Sequence, residues 1–197
     1  MGLIKNIFGH LRNIIVHKYW VFYYGRKSIL RVSWWRLLMH DISKFSPIEF
    51  WESVKYYQGT SSPIPVCKAE NGYSKAWQHH KGRNPHHYEY WTDNYDSGTT
   101  LIPMPIECVT EMLADWMAAG RTYMGNKFTF TGQAMWWQNK KKTNPAIHPL
   151  TMALIDKFFD IEGENADYGL DKWRLYTWLP WKMEYINMVA SKNWKKY

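Results

Sequence analysis

Residues 3–24 read LIKNIFGHLRNIIVHKYWVFYY, and this stretch decides the fold class. Ile4, Ile7, Phe8, Leu11, Ile14, Ile15, Tyr19 and Phe22 recur every three or four positions, the period of a helix with one apolar side. Gly25 follows and predicts the helix end. A second helix is expected from about Ser28 to Asp41, with Leu30, Trp34, Leu37 and Leu38 on one side. Ser46-Pro47-Ile48-Glu49 combines a capping Ser, a Pro in the first turn and a Glu three residues on. That helix should run to Gln58 and stop at Gly59. Residues 59–72 read as a loop and 73–81 as a short helix. Asn84-Pro85 repeats the cap-plus-proline signature and starts a helix at His86, and 94–104 read as a second loop. Pro105 opens a helix through Ile106, Val109, Met112, Leu113 and Trp116 that ends near Gly120 or Gly125. Further helices fall over 131–141, 149–161 and 170–192, the last interrupted at Pro180. No alternating pattern persists. The expectation is an all-α single domain over 1–197, with the chemistry within about 10–125 and a helical extension from about 126.

Composition limits the function classes. Of 197 residues, 46% are hydrophobic and 21% charged, which excludes a disordered tail or a coiled coil. There are 13 Trp, 14 Tyr and 8 Phe. Each ring buries roughly 150–250 Å², enough for a compact core at this length. Cys67 and Cys108 form no disulfide framework and lack metal-ligand spacing, so a reducing cytoplasm is expected, the host's for a phage-encoded chain. The apolar run Ile14-Ile15-Val16 is broken at once by His17 and Lys18, and no small-residue cleavage site follows. Asn6 stands where the myristoylation pattern requires Ser or Thr. No apolar stretch reaches 18 residues, so no membrane partner is expected. The formal charge of +8 suits an anionic partner. Lys140-Lys141-Lys142 and the Lys192–Lys196 cluster read as solvated faces. Nucleic acid is disfavoured, because no zinc-finger, ribonucleoprotein or P-loop pattern occurs.

The histidines carry the chemical signal. Four of eight sit in one nine-residue window: His79, His80, His86 and His87. His40 is followed by Asp41 in Leu37-Leu38-Met39-His40-Asp41-Ile42-Ser43-Lys44-Phe45. His17 faces inward on the first helix. Asp115 interrupts the apolar run Met112-Leu113-Ala114-Asp115-Trp116, where an unpaired charge would cost several kcal/mol, so it requires a cation or a strong donor. Neutral imidazole and carboxylate together are ligands for borderline divalent metals.

His17, then His40-Asp41 with Lys44, then the histidine window, then Asp115 resembles the HD-domain superfamily of all-helical metalloproteins. More narrowly, LMHDISKFSP (38–47) and HHKGRNPHHYEYW (79–91) resemble a branch of small HD-like proteins of bacteria and phages. The resemblance covers about residues 10–125. It implies an HD-like helical bundle in which His17, His40, Asp41 and Asp115 hold a first metal. Asp41 would bridge to a second metal held by one histidine of each pair, His80 and His87 being preferred. His79 and His86 have a second-sphere or surface role as the alternative, and His10, seven residues before His17, is an alternative ligand. His148, before Pro149, reads as a cap. The His80-to-His87 spacing is shorter than in dinuclear relatives.

By the same resemblance Asp41 and Lys44 are the catalytic pair. Lys44 would contact substrate oxygens, and Arg83 would grip a phosphate bidentately; a solvated Lys at a helix end and an Arg paired to Glu89 or Asp93 are the alternatives. The implied activity is a metal-dependent phosphohydrolase using two divalent ions (Fe, Mn, Co, Ni or Zn), with an anionic small molecule, a nucleotide by class, as substrate. A di-iron oxygenase cleaving a C–C or C–P bond would use the same ligands. So would a non-catalytic scaffold binding a nucleotide or partner. A homo-oligomer is compatible with the sequence.

Overall fold

The structure is a computed structural model that describes residues 2–96, 98–163 and 172–192. Among the described residues it is all-α apart from one small hairpin. The helices are α1 (Leu3–Lys27), α2 (Trp34–Met39), α3 (Pro47–Lys55), α4 (Pro63–Asn71) and α5 (Lys75–Arg83), followed by α6 (Ile106–Met124), α7 (Phe130–Lys142), α8 (Pro149–Gly163) and α9 (Lys172–Ala190). Strands β1 (Thr92–Tyr95) and β2 (Gly98–Leu101) pair antiparallel, Thr92 opposite Leu101 and Tyr95 opposite Gly98. Among the described residues, no helix is long and apolar enough to cross a membrane.

Helix α1 packs along α6, and that pair is the spine of the molecule. Val21 of α1 and Val109, Met112, Leu113, Ala114 and Met117 of α6 are fully buried between the helices. Trp137, Ile155, Phe158 and Trp178 from α7, α8 and α9 belong to the same buried core.

Helix α1 does not stop at Gly25 but runs on to Lys27. A Cβ on Gly25 would lie 2.5 Å from a Leu37 methyl, so this glycine marks a close approach of α2 to α1 rather than a helix end. Helix α2 is shorter than expected. The hydroxyls of Ser28 and Ser33 accept the N–H groups of Leu30 and Arg36, which diverts residues 28–33 into a turn and delays the helix to Trp34.

The segment 59–72 is a helix over most of its length. Ser62 accepts the Ile64 N–H, Pro63 sits in the first turn and Gly72 closes the end at φ 77°, so the Ser-Pro signature at 46–47 recurs at 62–63. In place of the helix expected from His86, a single 3-10 turn spans Tyr88–Trp91 and leads into the hairpin. Trp91 donates its indole N–H to the Pro85 carbonyl at 2.6 Å, folding the turn back on itself. Pro180 lies inside α9, which is not interrupted there.

Helix α6 ends at Gly125, while Gly120 lies inside it, where α7 crosses. A Cβ there would meet Gln133 Oε1 and the Phe128 ring, both at 2.7 Å. Gly120→Ala is therefore expected to destabilise the chain by about 1–3 kcal/mol through overpacking, read as a lower urea midpoint at unchanged slope. Gly82→Ala in α5, with no atom within 4 Å of the new Cβ, should be neutral or stabilising. Equal effects of the two would contradict the packing described.

Candidate metal centre

Helix α2 ends at Met39, and the next two residues turn the chain sharply. Asp41 adopts φ 55°, ψ 23°, the left-handed conformation that a non-glycine residue enters at a cost and that Asp tolerates better than most. This corner aims the Asp41 carboxylate into the space between α1, α5 and α6. Its two oxygens face different histidines. Oδ1 lies 3.3 Å from both His80 Nε2 and His86 Nε2. Oδ2 lies 3.3 Å from His40 Nε2, 3.6 Å from His17 Nε2 and 2.6 Å from Lys44 Nζ. Asp115 Oδ1, from α6, approaches His17 Nε2 at 3.0 Å and His40 Nε2 at 3.5 Å.

Two sets of donor atoms thus share Asp41, each closing to within 4.8 Å: His17, His40, Asp41 and Asp115, and Asp41, His80, His86 and His87. The second set takes both His86 and His87, where one of the pair was expected. His86 is buried with its ring 4.3 Å from that of His40, so it belongs to the cluster and not to the second sphere. Among the described residues, Nε2 of His17, His40, His86 and His87 and both Asp41 oxygens make no well-aligned hydrogen bond. Buried polar atoms are rarely left so, and these six face one another around Asp41. The donor set fits divalent metal ions.

A carboxylate shell orients the imidazoles. Glu111 of α6 accepts from His40 Nδ1 at 2.9 Å and faces His86 Nδ1 at 3.3 Å, while Arg36 holds its other oxygen at 2.7 Å. Glu49 of α3 accepts from His80 Nδ1 at 2.7 Å and also binds His79 Nδ1. For His40, His80 and His86 the contact favours the tautomer that turns Nε2 towards Asp41, the usual carboxylate–histidine support of a metal ligand. Glu111, His40 and His86 could themselves close on an ion. The Arg36 charge on Glu111 makes the orienting role the better fit. His79 is therefore a neighbour of Glu49 and not a ligand of the shared centre. Sequence reading missed both glutamates. The available signal for Glu111 was its place one turn before Asp115 on the same helix face.

The electrostatics follow from burial. Four buried carboxylates, Asp41, Glu49, Glu111 and Asp115, face two permanent cations, Lys44 and Arg36. Burial alone would raise the Asp41 carboxyl, but the charges of His40, Lys44 and His80 hold it well below the usual range. Asp115 is likewise low, with burial overcome by His17 and His40, and Glu111 is drawn to about 2 against burial by His40 and His86. His40 is raised well above its ordinary value, burial being outweighed by Asp41, Asp115 and Glu111. His87, buried beside His86, is lowered well below it.

A cavity of about 220 Å³ opens onto this centre. Asp41, Lys44, His17, His80, His87 and Asp115 form its polar end, and Ile14, Tyr57, Ile64, Trp77 and Tyr123 its apolar wall. Lys44 sits in it with one flank exposed, its ammonium held protonated against burial by Asp41 and Asp115. His10 lines the same cavity but lies outside both ligand sets, and burial and the Lys44 charge lower it to about 4. Arg83 does not join Lys44. It is exposed and lines a separate cavity with Trp35, Arg36, His79 and Glu111, behind the His40–His86 pair. His148 Nδ1 accepts the Leu150 N–H at 3.1 Å, a cap at the start of α8.

A family of unknown function, DUF5662, is matched over residues 6–161. The chain belongs to DUF5662. No significant match is found among the curated proteins or the solved structures. The matched stretch of this DUF5662 chain contains every donor of the shared centre and both orienting glutamates. Glu111→Gln and Glu49→Gln in the DUF5662 chain are each expected to weaken metal binding by about 10–100-fold without unfolding it. Competition with a chromophoric chelator would measure this, and affinities equal to wild type would remove the glutamates from the site.

Proposed function

We propose that the chain is a metal-dependent phosphohydrolase of the HD type, acting on a small phosphorylated molecule, a nucleotide by class. The observation that carries this reading is the division of one buried carboxylate, Asp41, between two imidazole groups, with a lysine on the same oxygen at the cavity floor. The ligands would be His17, His40, Asp41 and Asp115 on one side and His80, His86 and His87 with Asp41 on the other, suited to Fe, Mn, Co, Ni or Zn. Bound there, divalent ions supply an acidified water and neutralise phosphoryl oxygens.

The chain's own residues do the rest. Lys44 stays charged beside Asp41 and meets the phosphoryl group entering from the cavity, offsetting the charge that develops there. Ile14, Ile64 and Trp77 line the cavity with apolar surface, which strengthens every charge interaction at its floor. Glu111 orients the rings of His40 and His86, and Glu49 orients that of His80. Two divalent ions would carry as much positive charge as the four buried carboxylates carry negative, and Lys44 and Arg36 add to it, so the loaded site would attract an anion. The net charge of +8 favours the same substrates.

The test is phosphate release from nitrophenyl phosphate mono- and diesters and from a nucleotide panel, by protein loaded in turn with each metal. Turnover of at least one substrate is expected, falling by at least about a hundredfold in Lys44→Ala with metal content unchanged. Metal bound without any phosphate release would overturn the hydrolase reading. The third imidazole, His86, at the shared carboxylate favours one second reading. Iron as the resident metal, with substrate consumed only in oxygen, would move the assignment to a di-iron oxygenase. Nucleotide bound without turnover would leave a scaffold.

A further inference from the structure

The face of α1 turned away from the metal cavity is apolar where a surface helix is normally polar. His10, Ile14, His17 and Val21 point inward. About a third of a turn round the helix, Ile4, Phe8, Ile15 and Tyr19 form a second stripe, exposed at 70, 68, 65 and 60%. Helix α2 continues this stripe. Phe22 meets the Trp34 ring at 6.0 Å, and Lys18 of α1 caps the Leu38 carbonyl at 2.6 Å, so exposed Trp34 and Leu38 lie beside α1. Large apolar side chains scattered singly are ordinary, but a continuous run over two adjacent helices marks an interaction surface.

Charge identifies the occupant. Through residue 40 the sequence has seven Lys or Arg and not one Asp or Glu. Lys5 and Arg12 are exposed along the rim of the stripe, Arg31 is exposed at the turn before α2, and Arg26 lies over the Trp34 ring at 4.7 Å. An apolar stripe with aromatic rings and a wholly basic rim matches an anionic lipid surface, into which the stripe sinks while the rim meets headgroups. A second copy fits less well, because an antiparallel pairing of two α1 stripes would bring basic rims together with no acid on either.

We propose that the outward face of α1 and α2 docks the chain peripherally on anionic membranes. This differs from spanning one, which no described helix can do, and it runs against the hydropathy-based expectation of no membrane partner. Hydropathy windows detect continuous apolar runs, whereas this surface arises from residues spaced round a helix.

The experiment is co-sedimentation of the full chain with vesicles of phosphatidylcholine alone and of equal parts phosphatidylcholine and phosphatidylglycerol. Binding to the mixed vesicles is expected to be at least about tenfold stronger and to fall as salt is raised. The double variant Phe8→Ser, Ile15→Ser should lose at least about tenfold, and Lys5→Glu with Arg12→Glu should lose the preference for anionic vesicles. Each variant should keep the wild-type metal content and urea midpoint. No binding to either vesicle, or binding unchanged in both variants, would overturn the proposal. So would a wild-type dimer that Phe8→Ser, Ile15→Ser converts to monomer, since a second copy would then cover the face.

Discussion

Asp41→Ala is expected to strip the protein of metal. Asp41 is the one residue common to both donor sets, each of its oxygens serving a different group of imidazoles. Removing a supporting carboxylate costs about 10–100-fold in affinity, so removing the shared ligand should cost more than about a hundredfold and abolish turnover with it. Elemental analysis of protein purified without added metal should show metal in wild type and essentially none in the variant. Asp41→Gly is the companion measurement, because glycine enters the φ 55° conformation freely. It should lose metal equally while recovering about 1 kcal/mol of backbone strain relative to Asp41→Ala. Metal content unaffected by either substitution would remove Asp41 from the centre.

Trp137→Ala is expected to cause the largest loss of stability. Trp137 is fully buried against Trp116 and Phe159, and its indole N–H donates to Asp156 at 2.7 Å. Truncation leaves a large cavity where α7 meets α8 and takes one donor from Asp156, which Lys141 still holds at 2.7 Å. The expected cost is about 3–5 kcal/mol, a large share of the stability of a domain this size. Trp137→Phe keeps most of the volume and should cost clearly less. A urea midpoint for Trp137→Ala within error of wild type would mean that the C-terminal helices are not integral to the core.

What was legible in the sequence was local. Hydrophobic period, caps and prolines are set within a few residues, so α1, α3, α6 and α8 could be read directly. The errors fell where local signals compete. Ser28 and Ser33 drew the backbone away from helix, and Gly25 resembled a stop although Leu37 is what requires it. Two prolines made 59–72 look like a loop although Ser62 caps a helix there.

The candidate site divides the same way. The residue types that can bind metal were evident from His17, His40-Asp41, the histidine window and Asp115, because ligand chemistry belongs to the side chain. Which of them converge was a tertiary matter. His80 rather than His79, and His86 as well as His87, follow from the turn of the chain after Asn84 and from the distances to Asp41. The sequence marks Glu49 only as a helix-start residue and Glu111 only by its place one turn before Asp115, and they gained their roles only when α3 and α6 brought them against imidazole Nδ1 atoms. Arg83, close in sequence to the histidines, was carried to the far side of them. The sequence by itself determined the helical class and the inventory of donors, since both depend on short-range period and functional-group chemistry. Only the tertiary structure decided how those donors are grouped, because that depends on the packing of α1 on α6 and on one left-handed residue at position 41.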